Sequence, residues 1–415
     1  MISAHLLNPN NNYDFVALQE VWCKVDYETL ASKLAAVYPH CVYFPSGVIG
    51  SGLAILSRHP INQSFFRRFS LCGSPDRFWH GDFYSGKGIG GVRARWRNTL
   101  TINFYTTHMH AEYGGKRKGY EAHRLTQFQE IVQFIEQTGR PEHISIIGGD
   151  FNTWPDEFIY EMMVEHGCAN KLDKPLIDAW KHVHGQEDLE AGASDSSAVS
   201  EPVDSGETYC LHTNAYSKRG KKGQRIDYVF YAPRPGLDCI SANVLADESG
   251  NGQDGRAPIS FSDHNLLMAE FRIQPQELFD AQGGNSIVAP SAELMAKQKI
   301  DVEKTIAILV RKKRHVRNWQ GFHTFVAILF LLVFIGITIA TAVTIPNDQL
   351  TPLLILALFG IQPAVLVTMF TGIIMARLFL QEEKMSLTHY INGWYIWLLH
   401  NEQLEPTAKL ITKDE

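Results

Sequence analysis

The sequence predicts an α/β domain of paired β-sheets flanked by helices, followed by two membrane helices. Short apolar or alternating segments typical of strands are interspersed with segments of helical periodicity. Several of these strands follow one another with no helix between them, which favours paired sheets over a doubly wound Rossmann sheet. Two uncharged apolar stretches near the C-terminus predict the membrane helices.

Composition excludes a mainly disordered or fibrous chain. Of the 415 residues, 45% are hydrophobic and 20% are charged, and the net charge is −6. This apolar content can form a sizeable core, and the length predicts more than one domain. Five of the 38 basic residues lie in one cluster, which comprises Arg311, Lys312, Lys313, Arg314 and Arg317. The rest of the chain therefore has a net charge of −11, from 33 basic and 44 acidic residues. The acidic balance disfavours nucleic acid as a partner.

The α/β part is justified element by element. Residues 100–108 alternate apolar and polar side chains, as a half-buried strand does, and residues 121–138 show helical periodicity. Similar reasoning predicts a second helix over 27–38 and further strands over 14–18, 52–57, 92–96, 144–149, 226–231 and 265–271. Two stretches rich in small or polar residues, 186–206 and 247–257, predict loops.

The C-terminal part predicts a membrane hairpin. Residues 322–345 and 352–375 contain no Asp, Glu, Lys or Arg, and each exceeds the ~20 residues that cross a bilayer. The connection over 346–349 is short, and Pro363 predicts a mild kink in the second span. We therefore expect four parts: the α/β domain over 1–274, a linker and basic juxtamembrane segment over 275–317, the two-helix hairpin over 318–380 and a tail over 381–415.

The charges predict the orientation of this hairpin. The basic cluster precedes the first span and the turn carries no cation, so the positive-inside rule places both termini and the α/β domain in the cytosol. The same cluster is alternatively a binding site for anionic phospholipids. The six cysteines form no CxxC motif, which fits reduced thiols in the cytosol. The endoplasmic reticulum, Golgi and plasma membrane all fit this topology.

Five short motifs place chemically active side chains at the ends of predicted strands. They are LQEVW with Glu20, THMHAEY with His108, GGDFN with Asp150 and Asn152, RIDY with Asp227, and SDH with Asp263 and His264. Carboxylate and amide oxygens suit Mg²⁺, and an imidazole beside a carboxylate is a typical general base. One such motif alone is more often a turn, but five along one chain indicate a metal-assisted phosphoester site.

These motifs, in this order, resemble those of the endonuclease/exonuclease/phosphatase superfamily of Mg²⁺-dependent phosphodiesterases. The resemblance covers residues 14–271 and implies a four-layer α/β/β/α sandwich. More narrowly, LQEVW, HGDFYSGKGIGGV, THMHAEY, HRLTQFQE and the hairpin resemble the neutral sphingomyelinases of the two-helix type. This implies hydrolysis of the membrane lipid sphingomyelin to ceramide and phosphocholine with Mg²⁺ as cofactor.

The superfamily resemblance also implies roles for individual residues. Glu20 matches the metal-binding Glu, and Asp263 matches a further carboxylate of the metal site. His264 matches the general base, which Asp227 orients. Asp150 and Asn152 match the pair that binds the phosphate and positions the nucleophile, and His108 matches a second essential histidine that hydrogen-bonds a phosphate oxygen or the leaving group.

Three further predictions concern the surroundings of this site. Asp82 and Lys87 match a family pair that gates the site, although a simple hairpin turn over 86–88 is the alternative. We expect His110 to be a surface residue at the end of a strand. The aromatic residues Trp22, Phe78, Trp79, Phe83 and Tyr84 either form an apolar rim that touches the bilayer or pack in the core.

The N-terminus departs from the family pattern. Family members begin with a strand whose Asn helps to bind the metal, whereas residues 1–13 contain asparagines without apolar flanks. We therefore expect the first strand and one metal ligand to be missing, which exposes neighbouring strand edges. The alternatives are a nuclease or inositol-phosphate phosphatase of the same superfamily, and a catalytically impaired, N-terminally truncated membrane scaffold. Lyso-platelet-activating factor is an alternative lipid substrate.

Overall fold

The computed structural model divides the chain into two compact units. The first comprises Met1–Cys72 and Tyr84–Leu294, and the second comprises Gly73–Phe83 and Met295–Glu415. The structure describes all residues except 1, 98–99, 114–118, 141, 166–174, 186–205, 211–213, 215, 217–222, 246–259, 261, 276–291, 345–351, 353–355 and 403–415. The predicted loops over 186–206 and 247–257 and the turn over 346–349 lie almost wholly outside the described residues.

A mixed six-stranded sheet forms the centre of the first unit. The strands are β4 (Ile61–Arg68), β5 (Gly88–Trp96), β6 (Leu100–His108), β7 (Ile144–Asp150), β8 (Ile177–Asp178) and β9 (Asp227–Tyr231). They run in the order β4-β5-β6-β7-β9-β8. Only the β6–β7 pair is parallel, and the other neighbours are antiparallel.

The second strand layer of this unit is in two pieces. One is a three-stranded sheet of order β1-β3-β2, made of β1 (Phe15–Leu18), β2 (His40–Tyr43) and β3 (Ala54–Ser57). The other pairs β10 (Leu237–Leu245) with β11 (Leu266–Ile273). Among the described residues, β1 pairs only with β3 and β11 only with β10.

Helices cover both faces of the paired sheets and complete the predicted four-layer sandwich. On one side, α1 (Ile2–Leu7) and α2 (Lys24–Leu34) pack on β3 through Leu6, Leu34 and Leu56. On the other side, α3 (Glu121–Thr138) lies against β5 and α4 (Phe158–Glu165). A short helix, α5 (Ala179–His184), contacts β9 and β10.

Apolar side chains fill the space between the two strand layers. Ile55 of β3 and Val92 of β5 belong to one buried cluster, and Phe104 of β6 packs against it. The rings of Phe15 and Phe104 stack with centroids 5.0 Å apart, which joins β1 to the six-stranded sheet. Burial of this apolar surface is the main contribution to the stability of the sandwich. It also holds the ends of β1, β6 and β7 at one edge.

The second unit contains the predicted membrane helices. A continuous helix, α6 (Ala292–Thr344), is followed by a second helical segment made of α7 (Gln362–Ile374) and α8 (Leu380–Glu402). Within the part of the chain that the structure describes, two helices are long and apolar enough to cross a membrane. A π-helical turn at Ala357–Ile361 immediately precedes Pro363, where the proline cannot donate a backbone hydrogen bond. Small residues allow close contact, because a Cβ on Gly372 would lie 3.3 Å from that of Ala327.

The basic cluster lies on α6 but does not act as one exposed patch. The ammonium group of Lys312 is 3.0 Å from the carboxylate of Glu383, and the Lys312 side chain is only 15% exposed. Arg311, Arg314 and Arg317 are exposed. Binding of anionic phospholipids by this cluster stays a prediction, and it depends on these arginines and half-buried Lys313 more than on Lys312.

Candidate active site

Three neighbouring strands of the six-stranded sheet end in polar side chains at the same level. His108 ends β6 and is in register with Asp150, which ends β7. Asp150 is in register with Asp227, which begins the antiparallel strand β9. Because paired positions on neighbouring strands lie side by side, the fold brings together residues that are 42 and 77 positions apart in the sequence.

The turn after β7 shapes one wall of the site. The backbone N–H of Asn152 donates to Asp150 Oδ1 at 2.8 Å, and its amide nitrogen donates to Asp150 Oδ2 at 3.0 Å and to the Met109 carbonyl at 3.1 Å. Asn152 adopts a φ of 47°, which is uncommon for a residue other than glycine. Backbone strain of this kind often lies at functional sites, and here it directs the amide toward Asp150.

The predicted general base has a carboxylate partner on β9. His264 Nδ1 lies 2.8 Å from Asp227 Oδ2, and the Thr208 hydroxyl donates to the same oxygen at 2.6 Å. The ring of Tyr209 lies 4.8 Å from that of His264. Since the Nδ1 side is occupied by Asp227, Nε2 is the imidazole nitrogen left for proton transfer.

The electrostatics of the site are dominated by crowded carboxylates. Burial raises the pKa of Asp150, and repulsion by Asp227 raises it further, to about 7. Burial lowers the pKa of His264, but the charge and hydrogen bond of Asp227 outweigh it, with Asp150 and Asp263 adding to the effect, and its pKa becomes about 10. In the absence of a cation, the site therefore favours extra protons.

Asp150, Asp227 and His264 could hold a metal ion, because their ligand atoms lie within 4.8 Å of one another. The raised pKa of Asp150 reflects negative charge that a divalent cation would offset. Two carboxylates suit a hard cation, because such ions prefer oxygen ligands. These residues therefore fit a metal. His108 Nε2 lies 3.3 Å from Asp150 Oδ2 at the edge of this group.

The two residues predicted as metal ligands do not belong to this group. Glu20 and Asp263 are exposed. Glu20 follows β1 and has a φ of 59°. Its neighbours contact the six-stranded sheet: the Gln19 amide donates to the Thr106 hydroxyl of β6 at 2.9 Å, and the centroid of the Trp22 ring lies 6.3 Å from that of His108. Glu20 is therefore placed at the same edge of the sandwich, and its metal contact stays a prediction, as does that of Asp263.

The remaining predicted residues have mixed outcomes. Lys87 is buried, and its ammonium group donates to the Met109 carbonyl at 3.1 Å; Asp82 is also buried. The segment 86–88 is no simple hairpin turn, because the β4–β5 connection is long and Phe69 N–H donates to the Lys87 carbonyl at 3.0 Å. The gating role stays a prediction.

The prediction for His110 as a surface residue is wrong: its side chain is fully buried, and its ring stacks on that of Tyr120 with centroids 3.8 Å apart.

Sequence reasoning missed two residues that contact the side chains predicted to be catalytic. Thr208 is fully buried and donates to Asp227, and Tyr209 forms an isolated bridge with His264. Neither lies in a motif, and both follow a Ser-rich stretch that reads as loop. Their contacts are 19 and 55 positions away in sequence, so no local pattern could have indicated them.

The paired glycines before Asp150 give a sharp test of the site's backbone. A Cβ on Gly149 would lie 2.1 Å from the Thr107 carbonyl oxygen, whereas a Cβ on Gly148 would make only ordinary contacts, the nearest at 3.8 Å. We expect Gly149→Ala to destabilise the domain by about 3 kcal/mol through overpacking. Thermal denaturation measures the loss, and Gly148→Ala is the matched control. Equal melting temperatures for the two variants would contradict the close approach.

An α/β sandwich with acidic and imidazole side chains at the ends of its central strands defines a phosphodiesterase-type hydrolase. The model of the Endonuclease/Exonuclease/phosphatase family matches residues 2–264, and the chain belongs to this family.

The chain is similar to two curated relatives whose names specify sphingolipid substrates. Sphingomyelin phosphodiesterase 2 of Rattus norvegicus is 31% identical over 341 residues, which cover 80% of this chain and 72% of the relative. Inositol phosphosphingolipids phospholipase C of Saccharomyces cerevisiae is 29% identical over 349 residues, which cover 81% of this chain and 69% of the relative. Among solved structures, sphingomyelinase C from Streptomyces griseocarneus is 18% identical with a TM-score of 0.44, covering 64% of this chain and 89% of that one.

Proposed function

We propose that the protein is a membrane-anchored, Mg²⁺-dependent neutral sphingomyelinase that hydrolyses sphingomyelin to ceramide and phosphocholine. The observation that carries this proposal is the register of β6, β7 and β9, which aligns His108, Asp150 and Asp227 beside His264. The similarity to sphingomyelin phosphodiesterase 2 supports a sphingolipid substrate. The two apolar helices support a location at the bilayer, with the catalytic unit and both termini in the cytosol.

The reaction is the attack of water on the phosphodiester. His264 Nε2 takes a proton from the water while Asp227 stabilises the resulting imidazolium through Nδ1. The oxygen of water bonds to phosphorus, the bond to the ceramide oxygen breaks, and a proton passes to that oxygen. His108 and the Asn152 amide are placed to donate hydrogen bonds to phosphate oxygens.

Asp150 and Asp227, with Glu20 and Asp263 as the further proposed ligands, would hold the Mg²⁺. When bound, Mg²⁺ would neutralise carboxylates, polarise a phosphate oxygen and lower the pKa of His264 toward neutrality. The protein's own contribution is to keep these groups fixed at the strand ends before the substrate arrives.

Removal of the cation tests this proposal. We expect the full chain in mixed micelles to release phosphocholine from sphingomyelin with Mg²⁺, and chelation by EDTA to lower the rate about 1,000-fold, since a Lewis-acid cation contributes several kcal/mol to the barrier. Restoring Mg²⁺ should restore the rate, with Ca²⁺ as the matched ion. A rate that is unaffected by EDTA would contradict the proposal.

The same assay distinguishes the substrates. The similarity to the yeast enzyme favours inositol phosphosphingolipids as the second candidate. Parallel reactions with this lipid, with lyso-platelet-activating factor and with single-stranded DNA compare the headgroups at equal concentration. Faster release from the inositol lipid would shift the assignment within the family, and DNA cleavage would overturn it. Mg²⁺-dependent hydrolysis of none of these substrates would favour the catalytically impaired scaffold.

A further inference from the structure

The segment between β4 and β5 clusters with the membrane helices. Residues 73–83 form one compact unit with the chain from Met295 onward. They contain two 3₁₀ turns, Pro75–Arg77 and Gly81–Phe83. The conformation at the start of the segment requires glycine: Gly73 has a φ of 75°, and a Cβ there would lie 2.5 Å from the Phe83 Cα. The segment is therefore folded back on itself.

Polar contacts fix this segment to the helices. Lys312 of α6 donates to the Ser74 hydroxyl at 2.8 Å, and that hydroxyl donates to Glu383 of α8 at 3.2 Å. A second contact joins the same segment to α6, because His315 Nε2 lies 3.5 Å from the Asp76 carboxylate. Burial raises the pKa of Asp76, but hydrogen bonds from Ser74 and His315 and the charge of Lys312 outweigh it and lower the pKa. Asp76 is therefore held as an anion against the helix.

These contacts define the depth of the segment relative to a bilayer. His315 precedes the apolar stretch that begins at Phe322 by seven residues, or about 10 Å of helix. At the other end of the segment, the rings of Phe83 and Phe379 lie 5.9 Å apart, and Phe379 follows the second apolar stretch by four residues, or about 6 Å. The headgroup layer is about 5–8 Å thick on each side, so the Phe83 end of the segment lies within this layer and the contact of Asp76 with His315 lies just outside it.

Two large aromatic side chains project from this fixed segment. Phe78 is 52% exposed and Trp79 is 67% exposed, and their rings meet edge to face at 5.4 Å. Core packing therefore does not account for them. Trp is enriched at membrane–water interfaces, where its ring is partly apolar and its N–H can still find a polar partner. Cationic or ionisable side chains, Arg77 and His80, flank the pair, which suits phosphate headgroups.

We propose that Phe78 and Trp79 form an aromatic wedge that inserts into the headgroup layer of the bilayer crossed by the two apolar helices. The occupant of this surface is lipid and not a protein partner. Lipid is favoured because the wedge belongs to the same compact unit as the apolar helices, and its segment contacts them at His315 and Phe379, just beyond the apolar stretches. The proposal does not depend on the identity of the substrate or on catalysis.

Tryptophan fluorescence of the full chain tests the wedge. The chain is reconstituted into phosphatidylcholine vesicles, with or without lipid brominated near the headgroup end of the acyl chains. Subtracting the spectrum of Trp79→Phe from that of the wild type isolates the Trp79 emission. We expect this emission to be blue-shifted and to lose at least about half of its intensity in brominated vesicles. The matched control is Trp96→Phe, which removes a half-buried tryptophan of β5.

Two further measurements make the result unambiguous. Quenching of the tryptophans that remain in Trp79→Phe establishes that the helices are in the bilayer, because Trp319 of α6 lies only three residues before the apolar stretch. Acrylamide in the water phase reports whether Trp79 is shielded. A water-like emission from Trp79 that acrylamide quenches and brominated lipid does not would overturn the proposal. Shielding from acrylamide without quenching by brominated lipid would also overturn it, because protein would then cover the wedge.

Discussion

His264→Ala is expected to lower kcat for sphingomyelin hydrolysis about 1,000-fold, with KM nearly unchanged. General-base catalysis contributes about 10²–10⁴-fold in enzymes, and in the proposed mechanism the imidazole acts in the chemical step and not in binding of the lipid. Asp227→Asn should give a smaller loss of about 10–100-fold, because the base remains but its orienting partner cannot stabilise the imidazolium. Phosphocholine release at saturating Mg²⁺ measures both.

The chain offers a matched control for this experiment. His182 of α5 forms a similar imidazole–carboxylate pair with Asp238, 3.4 Å apart, with side chains that are 32% and 53% exposed. Since an exposed pair of this kind contributes little, His182→Ala should retain nearly full activity and stability. If His264→Ala keeps more than about a tenth of wild-type kcat, while its fold is intact, the water must be activated by another group.

The central elements of the fold could be predicted because their patterns are complete within a few residues. The structure has β6 over Leu100–His108 and α3 over Glu121–Thr138, the bounds that periodicity predicts. Other strands were missed because tertiary contacts form them. The segment Ile61–Arg68 becomes the edge strand β4, although its exposed polar residues disguise the strand pattern. Similarly, β10 forms by pairing with β11 along its length.

The candidate site was predictable as a set of residues but not as a geometry. Strand-end positions and residue types indicated Asp150, Asn152, Asp227 and His264, and the register brings them together. Burial was harder to predict. His110 lies two residues beyond His108, where a strand end suggests exposure, yet α3 covers it and Gln127 accepts its backbone N–H at 2.8 Å. Such burial depends on how a distant helix packs, which local sequence does not specify.

Arg124→Met is expected to lower the stability of the first unit by about 3–5 kcal/mol, because it breaks a buried ion pair network. Arg124 is fully buried on α3, and its guanidinium lies 2.8 Å from Glu112 and 3.2 Å from Glu157, which are themselves almost buried. Removing the cation leaves two carboxylates crowded in a low-dielectric environment, and their repulsion and lost hydration oppose folding. Thermal denaturation should show a melting temperature about 10 °C lower.

This ion pair network also connects the site to the helix layer. Glu112 lies on the loop that follows His108 and Met109, and Glu157 lies beyond the turn that carries Asn152, so Arg124 holds both loops to α3. Adding Glu112→Gln to Arg124→Met should recover part of the stability, because one uncompensated charge is removed. The control is Arg140→Ala, whose pair with Glu142 is exposed and 3.8 Å long, and which should shift the melting temperature little. Equal shifts for Arg124→Met and Arg140→Ala would show that the buried pairs contribute no more than a surface contact.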